Sequence, residues 1–328
     1  MPSKITASDV ARLAGTSVAS VSRAFRNDRP ISEETRARVM KAANELGYMT
    51  PSGQGIAAMT TGTITLVAGD LENPFYPYVA NILSQEILSR KRRMILHPVP
   101  PEGHVDMVMR QVLDYKSDAV ILTSTMMGSQ LARECRRQNI PVILFNRLQP
   151  DAQMTAVVCD NYGGGRMVAQ RMIDAGRKRI ALIGGPRDTS THLERVSGFQ
   201  DTMEAAGQRI IAQPNGGFTY AGALAAAKDL FAQPFVPDAV FCLNDVMGLA
   251  TIEAARAAGL GIPDDVAIIG FDDIPMADWA SFRLTTVRQP VRQMAADALS
   301  LIEQQLIDRN SQGSIRIAPV RMIARDSG

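Results

Sequence analysis

The sequence predicts two unlike parts in one chain: a small all-α head, and a large α/β body made of two doubly wound parallel-sheet subdomains. Three observations lead there. Up to about residue 48, helix-start signals recur at close intervals without any strand pattern. Residues 49–62, MTPSGQGIAAMTTG, are rich in Gly, Ser and Thr and lack charge, the composition of a linker. From residue 63 onward, short β-branched runs alternate with amphipathic stretches of helical length. That alternation calls for parallel sheets covered on both faces and joined by right-handed crossovers.

In the head, Thr6 followed by Asp9 is an N-terminal capping pattern, with Val10, Leu13 and Ala14 expected on one face of the helix. Gly15 turns the chain and Ser17 opens a second helix at Val18. At about 100° per residue, Val21, Ala24 and Phe25 share one face of it, and Val18, Ala19, Ser22 and Arg23 share another. Ser32 opens a third helix, with Glu33 and Glu34 where the helix dipole favours anions. Val39, Ala42, Ala43 and Leu46 line its inner face, and Gly47 ends it.

The body's predicted strands are Ile64–Ala68, Met94–Leu96, Ala119–Leu122, Pro141–Phe145, Ala156–Val158, Ile180–Ile183, Ala239–Leu243 and Val266–Gly270. Between them lie the predicted helices Tyr78–Lys91, Val105–Tyr115, Gln130–Gln138, Gly163–Ala175, Arg195–Ala206, Tyr220–Ala232 and Val246–Ala258.

At 328 residues, 46% hydrophobic and 21% charged, the chain has the balance of an ordinary globular protein with a substantial core. Residues 1–60 hold eight Lys/Arg against five Asp/Glu, and the remainder 27 against 28, so a small basic head precedes a neutral body. Three widely separated cysteines make a disulfide framework improbable and favour a reducing compartment. The N-terminus lacks an apolar targeting stretch and no run reaches the ~18 apolar residues of a membrane span. A cytoplasmic protein with no membrane partner is expected.

A helix, a Gly-containing turn and a second helix form the layout that places the second helix in the DNA major groove. The groove is ~12 Å wide and a helix with its side chains ~10–12 Å across, so small residues at 18, 19 and 22 let it enter. Val18 and Ala19 can offer methyl contacts to thymine, and Arg23 can reach guanine O6 and N7. Ser17, Ser20, Ser22 and the amides at the helix start can hold phosphates, which sets register but not sequence. The plainer reading of the same spacing is a small helical bundle with a solvated basic face.

Taken together, ITASDVARLAGTSVASVSRAF and ISEETRARVMKAANELGY resemble the DNA-binding head of the LacI/GalR family. NPFY, VVCDNYGGG, RIALIGG, RVSGF, PDAVFCLND, GIPDDVAIIGFDD and LTTVRQP continue the resemblance along the body in family order. The resemblance implies a type I periplasmic-binding-protein fold closing around a small effector, and a homodimer, or a tetramer, on a pseudo-palindromic double-stranded operator. It implies a helix-turn-helix domain at 1–48 and a hinge at 49–62. The N-subdomain would be 63–160 with 290–318, and the C-subdomain 161–289 with 319–328. Thr6 and Asn27 join the DNA side. Effector contacts map onto Phe75, Asn146, Arg195, Phe218, Asp245 and Asp272, with Asn244 and Gln289 nearby. Aromatics with charged groups suit a sugar, sugar acid or sugar phosphate.

Structural readings stand beside these. Asp272 and Asp273 could simply end a strand and cap a helix, and Asp245 could be only the cap of a helix starting at Val246. Phe75 and Phe218 could be core, while Asp160 and Asn161 read as capping and inter-subdomain residues. Arg195 resists such a reading, because an arginine opening a helix is disfavoured by the dipole.

The hinge departs most from the family, where a leucine of a short helix pries apart the central base step. SGQGIAAM has two glycines and no leucine, which leaves Ile56 or Met59 as the wedge. Asn146 stands where the family often has Asp, and Arg177 replaces a common histidine as a surface change. An enzyme is disfavoured, since no dinucleotide, phosphate-loop or nucleophile-elbow motif is found and the three histidines lack metal-ligand spacing. No cofactor is expected. A solute-binding protein is opposed by the attached head. The reading that results is a regulator, most simply a repressor of a carbohydrate-catabolic operon.

Overall fold

The computed structural model describes residues 5–25, 31–46, 48, 61–99, 105–114, 117–123, 128–149, 154–308 and 313–328. Asn27, Ile56 and Met59 lie outside the described residues, and with them the wedge and one DNA-side position.

Three helices build the head: α1 (Ala7–Leu13), α2 (Val18–Phe25) and α3 (Glu33–Leu46). Thr6 caps α1 with both halves of a capping box, its hydroxyl taking the Asp9 amide while the Asp9 carboxylate takes the Thr6 amide. Ser17 Oγ accepts the Ser20 amide at 3.1 Å, and Ser32 Oγ accepts the Thr35 amide at 3.3 Å. Val21, Ala24 and Phe25 are buried against Val10, Ala14, Val39, Ala42 and Ala43, and Phe25 meets the Tyr48 ring edge-on at 5.7 Å. Leu13 corrects the expected face, being 51% exposed while Ala11 is buried. In so short a helix, positions 10, 11 and 14 meet the neighbours and position 13 falls on the flank.

In the first lobe of the body the strands are β1 (Thr63–Ala68), β2 (Arg93–Pro98), β3 (Ala119–Thr123), β4 (Val142–Phe145), β5 (Thr155–Cys159) and β11 (Ile315–Ala318). Their order is β11-β5-β4-β3-β1-β2, all parallel. Helices α4 (Phe75–Ser89), α5 (Val105–Asp114), α6 (Ser129–Arg137) and α11 (Val291–Ile307) belong to this lobe. The second lobe contains β6 (Ile180–Ile183), β7 (Ile210–Ala212), β8 (Ala239–Cys242), β9 (Ala267–Asp272), β10 (Thr285–Arg288) and β12 (Arg321–Ile323). Its order is β12-β10-β9-β8-β6-β7, antiparallel only where β12 joins β10. Helices α7 (Asn161–Asp174), α8 (Ser190–Ala205), α9 (Tyr220–Phe231) and α10 (Asp245–Ala257) pack on it. The body is thus the doubly wound pair of sheets that the alternation predicts.

Strands β1, β3, β5 and β9 are buried at every position, as parallel strands covered on both faces must be. The chain passes between the lobes after Cys159, after Arg288 and after Ala318. The parallel strands of both sheets carry their C-terminal ends toward these passages, the position where open α/β sheets bind ligands. Strands β7, β10, β11 and β12, the helix α11 and a 3-10 turn at Pro275–Asp278 are additional to the elements predicted from sequence. The added strands have only three or four residues, too few to show a period.

Helices α7 and α8 approach until their backbones touch. A methyl group on Gly165 would lie 2.2 Å from the Arg195 carbonyl oxygen, and one on Gly198 would lie 2.0 Å from the Tyr162 carbonyl oxygen. A methyl group on Gly164 would lie 2.4 Å from the Phe271 ring. Gly165 and Gly198 therefore set how closely α8 seats against α7.

Candidate DNA-reading helix and effector cleft

On the head, the two faces of α2 separate as the spacing predicts. Val18, Ala19, Ser22 and Arg23 are exposed, Val18 to 47%, and Ser17 is exposed beside them. The Ser17 and Ser20 hydroxyls lie 3.0 Å apart and the exposed Thr6 hydroxyl donates to Asp9 at 2.7 Å. Position and chemistry allow small methyl groups and one guanidinium to reach base edges from a helix anchored by its opposite face.

In the body, Arg195 is 2% exposed. It does not open its helix: α8 begins at Ser190, capped by Thr189, so Arg195 lies in the second turn and the dipole argument does not apply to it. Its Nε donates to Asn161 Oδ1 at 2.9 Å and its Nη1 to the Leu243 carbonyl. Its Nη2 stands 3.4 Å from Asp272 Oδ1, and the Phe271 ring covers its face at 3.6 Å. Asp272 also accepts the Gln289 amide at 2.7 Å. Asn161 takes part on the C-terminal side of the first passage, also donating to Glu194 at 3.1 Å. Asp273 is occupied by Arg288 and Arg325.

Asn244, not Asp245, caps α10, accepting the Met247 amide at 2.9 Å; its Nδ2 donates to the Phe218 carbonyl at 3.3 Å. Asp245 is wholly buried, its oxygens taken by the Ile274 amide and the Thr286 hydroxyl. These bonds link it to β10 and to the loop after β9. Phe218 is nearly buried and its ring fills the space a side chain on Gly185 would need. Phe75 is buried in the core and meets Tyr76 edge-on at 5.4 Å. Four residues here, Asn146, Phe218, Asp272 and Asp273, hold φ between +57° and +123°, strain that folds retain where a site is pre-organised.

Several residues go beyond the sequence reading or depart from it. Tyr76 is buried, and its phenol feels the charges of Arg147, Asp272, Asp70 and Arg195, so it stands where the two lobes meet. Leu148 donates its amide to Ser190 Oγ at 2.9 Å, tying the loop after β4 to the start of α8 across the cleft. His192 Nδ1 accepts the Gly185 amide at 3.2 Å, and burial pushes its pKa down. Arg177 is half-buried rather than superficial, donating to the Pro263 and Asp264 carbonyls.

Burial pushes the Asp245 carboxyl up to about 8 from its ordinary 3.8, with the nearby Asp272 charge adding to it. Burial raises Asp272 less, because Arg195 stands beside it. Between those two limits for Asp245 the folded state binds more protons than the unfolded one, so stability falls as pH rises through that window. Asp245→Asn keeps an acceptor for Ile274 and a donor for Thr286 without a titrating group. Thermal melts between about pH 5 and about pH 8 are expected to slope less in the variant than in the parent. Equal slopes would assign the pH dependence to other groups.

A slim recognition helix on a basic head, joined to a two-lobed body with a polar cleft, is the arrangement of a DNA-binding transcriptional regulator. Residues 6–51 match the bacterial regulatory proteins of the lacI family, and residues 169–328 match the periplasmic binding protein-like domain. The HTH-type transcriptional regulator DegA of Bacillus subtilis (strain 168) is 34% identical over 305 residues, covering 90% of this chain and 89% of that protein. The HTH-type transcriptional regulator CelR of Thermobifida fusca is 29% identical over 329 residues, covering 97% of each. A solved CelR–cellobiose complex superposes with a TM-score of 0.73 at 29% identity, covering 99% of this chain and 100% of that one. The chain belongs to the lacI family of bacterial regulatory proteins. Among the described residues no helix is long and apolar enough to cross a membrane.

Proposed function

We propose that this protein represses a carbohydrate-responsive operon, binding a pseudo-palindromic operator as a homodimer and changing affinity when a sugar-like effector enters the cleft. The observation that supports the proposal is the buried set Arg195, Asp272 and Gln289, bonded to one another and to the Leu243 carbonyl at the C-terminal ends of β8, β9 and β10, with Asn244 bonded to Phe218 beside them and Asn146 at the end of β4. The cellobiose in the CelR complex supports a sugar as the class of ligand. Switching requires that the effector prefer one lobe arrangement over the other, since equal affinity for both shifts nothing. Val18, Ala19 and Arg23 would read bases, and Ser17, Ser20 and Ser22 would fix phosphates, with Thr6 and Asn27 also on the DNA side.

Gel shifts at two salt concentrations test this reading. The protein is expected to prefer the palindrome upstream of its own gene over random DNA of equal length. Affinity should fall steeply with salt, as counterions released by phosphate contacts require. Equal affinity for random DNA would remove the operator from the proposal.

A further inference from the structure

The head touches the body at a place that neither the recognition surface nor the cleft uses. Among the described residues, one side chain from outside the head packs against its core: Ile307, the last residue of α11. The cluster it meets contains Val10, Phe25, Val39 and Tyr48, and Leu46 of α3 packs against the same cluster. Helices α3 and α11 are accordingly in contact.

The residues of α11 mark the same position. Gln293, Asp297, Ser300, Gln304 and Ile307 follow one another at helical spacing along its outer face, none of them buried. Four are polar and the last is branched and apolar. Leu306, one residue earlier, packs on the core of the body instead. The final turn of α11 thus serves two cores at once.

That end of the helix is a firm support. Met294, Ala298, Leu301 and Ile302 are buried along its inner face, and neither glycine nor proline interrupts its 17 residues. Arg90 pairs with Glu303 at 2.8 Å and donates to the Ala296 carbonyl at 3.3 Å, while Arg316 pairs with Asp297 at 2.8 Å. Gln305 donates to Thr155, the first residue of β5, so α11 ends where the strands of the first sheet begin. The chain from the head enters the body at that same end. The Thr61 and Gly62 amides donate to Asp118 at 2.6 and 2.9 Å, just before β1 and β3.

A covalent connection limits how far a head can lie from its body, not which way it faces. A second contact removes that freedom before binding, which is how pre-organisation contributes to affinity. In a dimer, the direction of the two heads decides which half-site spacing both recognition helices can reach together.

We infer that Ile307 is a positioning residue for operator recognition: it seats the head on the end of α11, so that the first lobe fixes the direction of α2. The inference rests on the dimeric operator-binding reading above, and Ile307 itself makes no contact with DNA.

The test uses the full-length protein with Ile307→Ser, which removes the apolar contact, and Ile307→Val, which keeps a branched apolar side chain. The first arm needs no DNA. A fluorophore on Ser8→Cys, at an exposed position of α1, reports rotation of the head by anisotropy decay. The amplitude of the nanosecond component should be at least about twofold larger in Ile307→Ser than in the parent, and unchanged in Ile307→Val. The second arm is a gel shift of the unlabelled proteins on the palindrome upstream of the gene, on one isolated half-site, and on the palindrome lengthened by about two base pairs at its centre. Ile307→Ser should bind the half-site within about twofold of the parent and the intact palindrome at least about fivefold more weakly. Its preference for the natural over the lengthened spacing should fall at least about threefold, and Ile307→Val should restore it. An anisotropy decay equal to the parent's overturns the seat. Freed heads with the parental spacing preference overturn the positioning role. Equal losses on half-site and palindrome would make Ile307 a prop of the head's own fold, which overturns the inference as well. If the parent does not prefer its palindrome over random DNA, the operator reading falls and the positioning role falls with it.

Discussion

Arg23→Ala should lower affinity for the operator roughly tenfold to a hundredfold, the discrimination carried by one bidentate guanine contact. The head should remain folded. Arg23 is exposed, whereas the contacts holding α2 in place belong to Val21, Ala24 and Phe25 on the other face. The informative measurement compares operator and random DNA side by side. Loss confined to the operator identifies Arg23 as a base contact. An equal loss on both would make it a phosphate contact, whose removal weakens binding uniformly and lowers the salt dependence. Exchanging Val18 and Ala19 for another pair of small residues should change which operator is preferred, since these side chains do not enter the head's core.

The second large effect is expected at the α7–α8 crossing. Gly165→Ala or Gly198→Ala inserts a methyl group against a backbone carbonyl 2.2 or 2.0 Å away, which no side-chain rotation can relieve. The helices must separate, at about 1–3 kcal/mol or more for overpacking in a dense interior. Because Gly165 sits against the carbonyl of Arg195 itself, the displacement also moves the guanidinium away from Asn161 and Asp272. Each variant should therefore melt at lower temperature and bind sugar more weakly even where it is fully folded. Specific operator binding by the head should persist at low temperature. A variant with parental melting temperature and sugar affinity would show that α8 has room to shift.

Much of this was legible in the residues. The caps at Thr6, Ser17 and Ser32 use backbone rules that act within four residues, so sequence alone reveals them. The buried strands β1, β3, β5 and β9 announce themselves because both faces must be apolar. Arg147 and Tyr76 were not legible as cleft residues. Their roles depend on which strand ends lie side by side, and on a fold that brings the charges of residues 147 and 272 to bear on the buried phenol of residue 76. The start of α8 was misplaced for a related reason: Ser190 and Thr191 read as loop residues, yet the Thr189 hydroxyl caps the helix there. Asp245 reads in the sequence as an effector contact or as a cap, since an acidic residue opening a helix is often one. Its occupation by Ile274 and Thr286 is a tertiary fact.

The three passages between the lobes also order events during synthesis. The first sheet is incomplete without β11 at residues 315–318, and the second without β12 at residues 321–323, so each lobe closes around a late piece of chain. On the ribosome the head, whose contacts span only short distances in sequence, can form early. Both halves of the body wait for nearly the same moment. The head is then folded before the cleft is complete, and a chain stalled near residue 300 would carry a formed head without a closed pair of lobes.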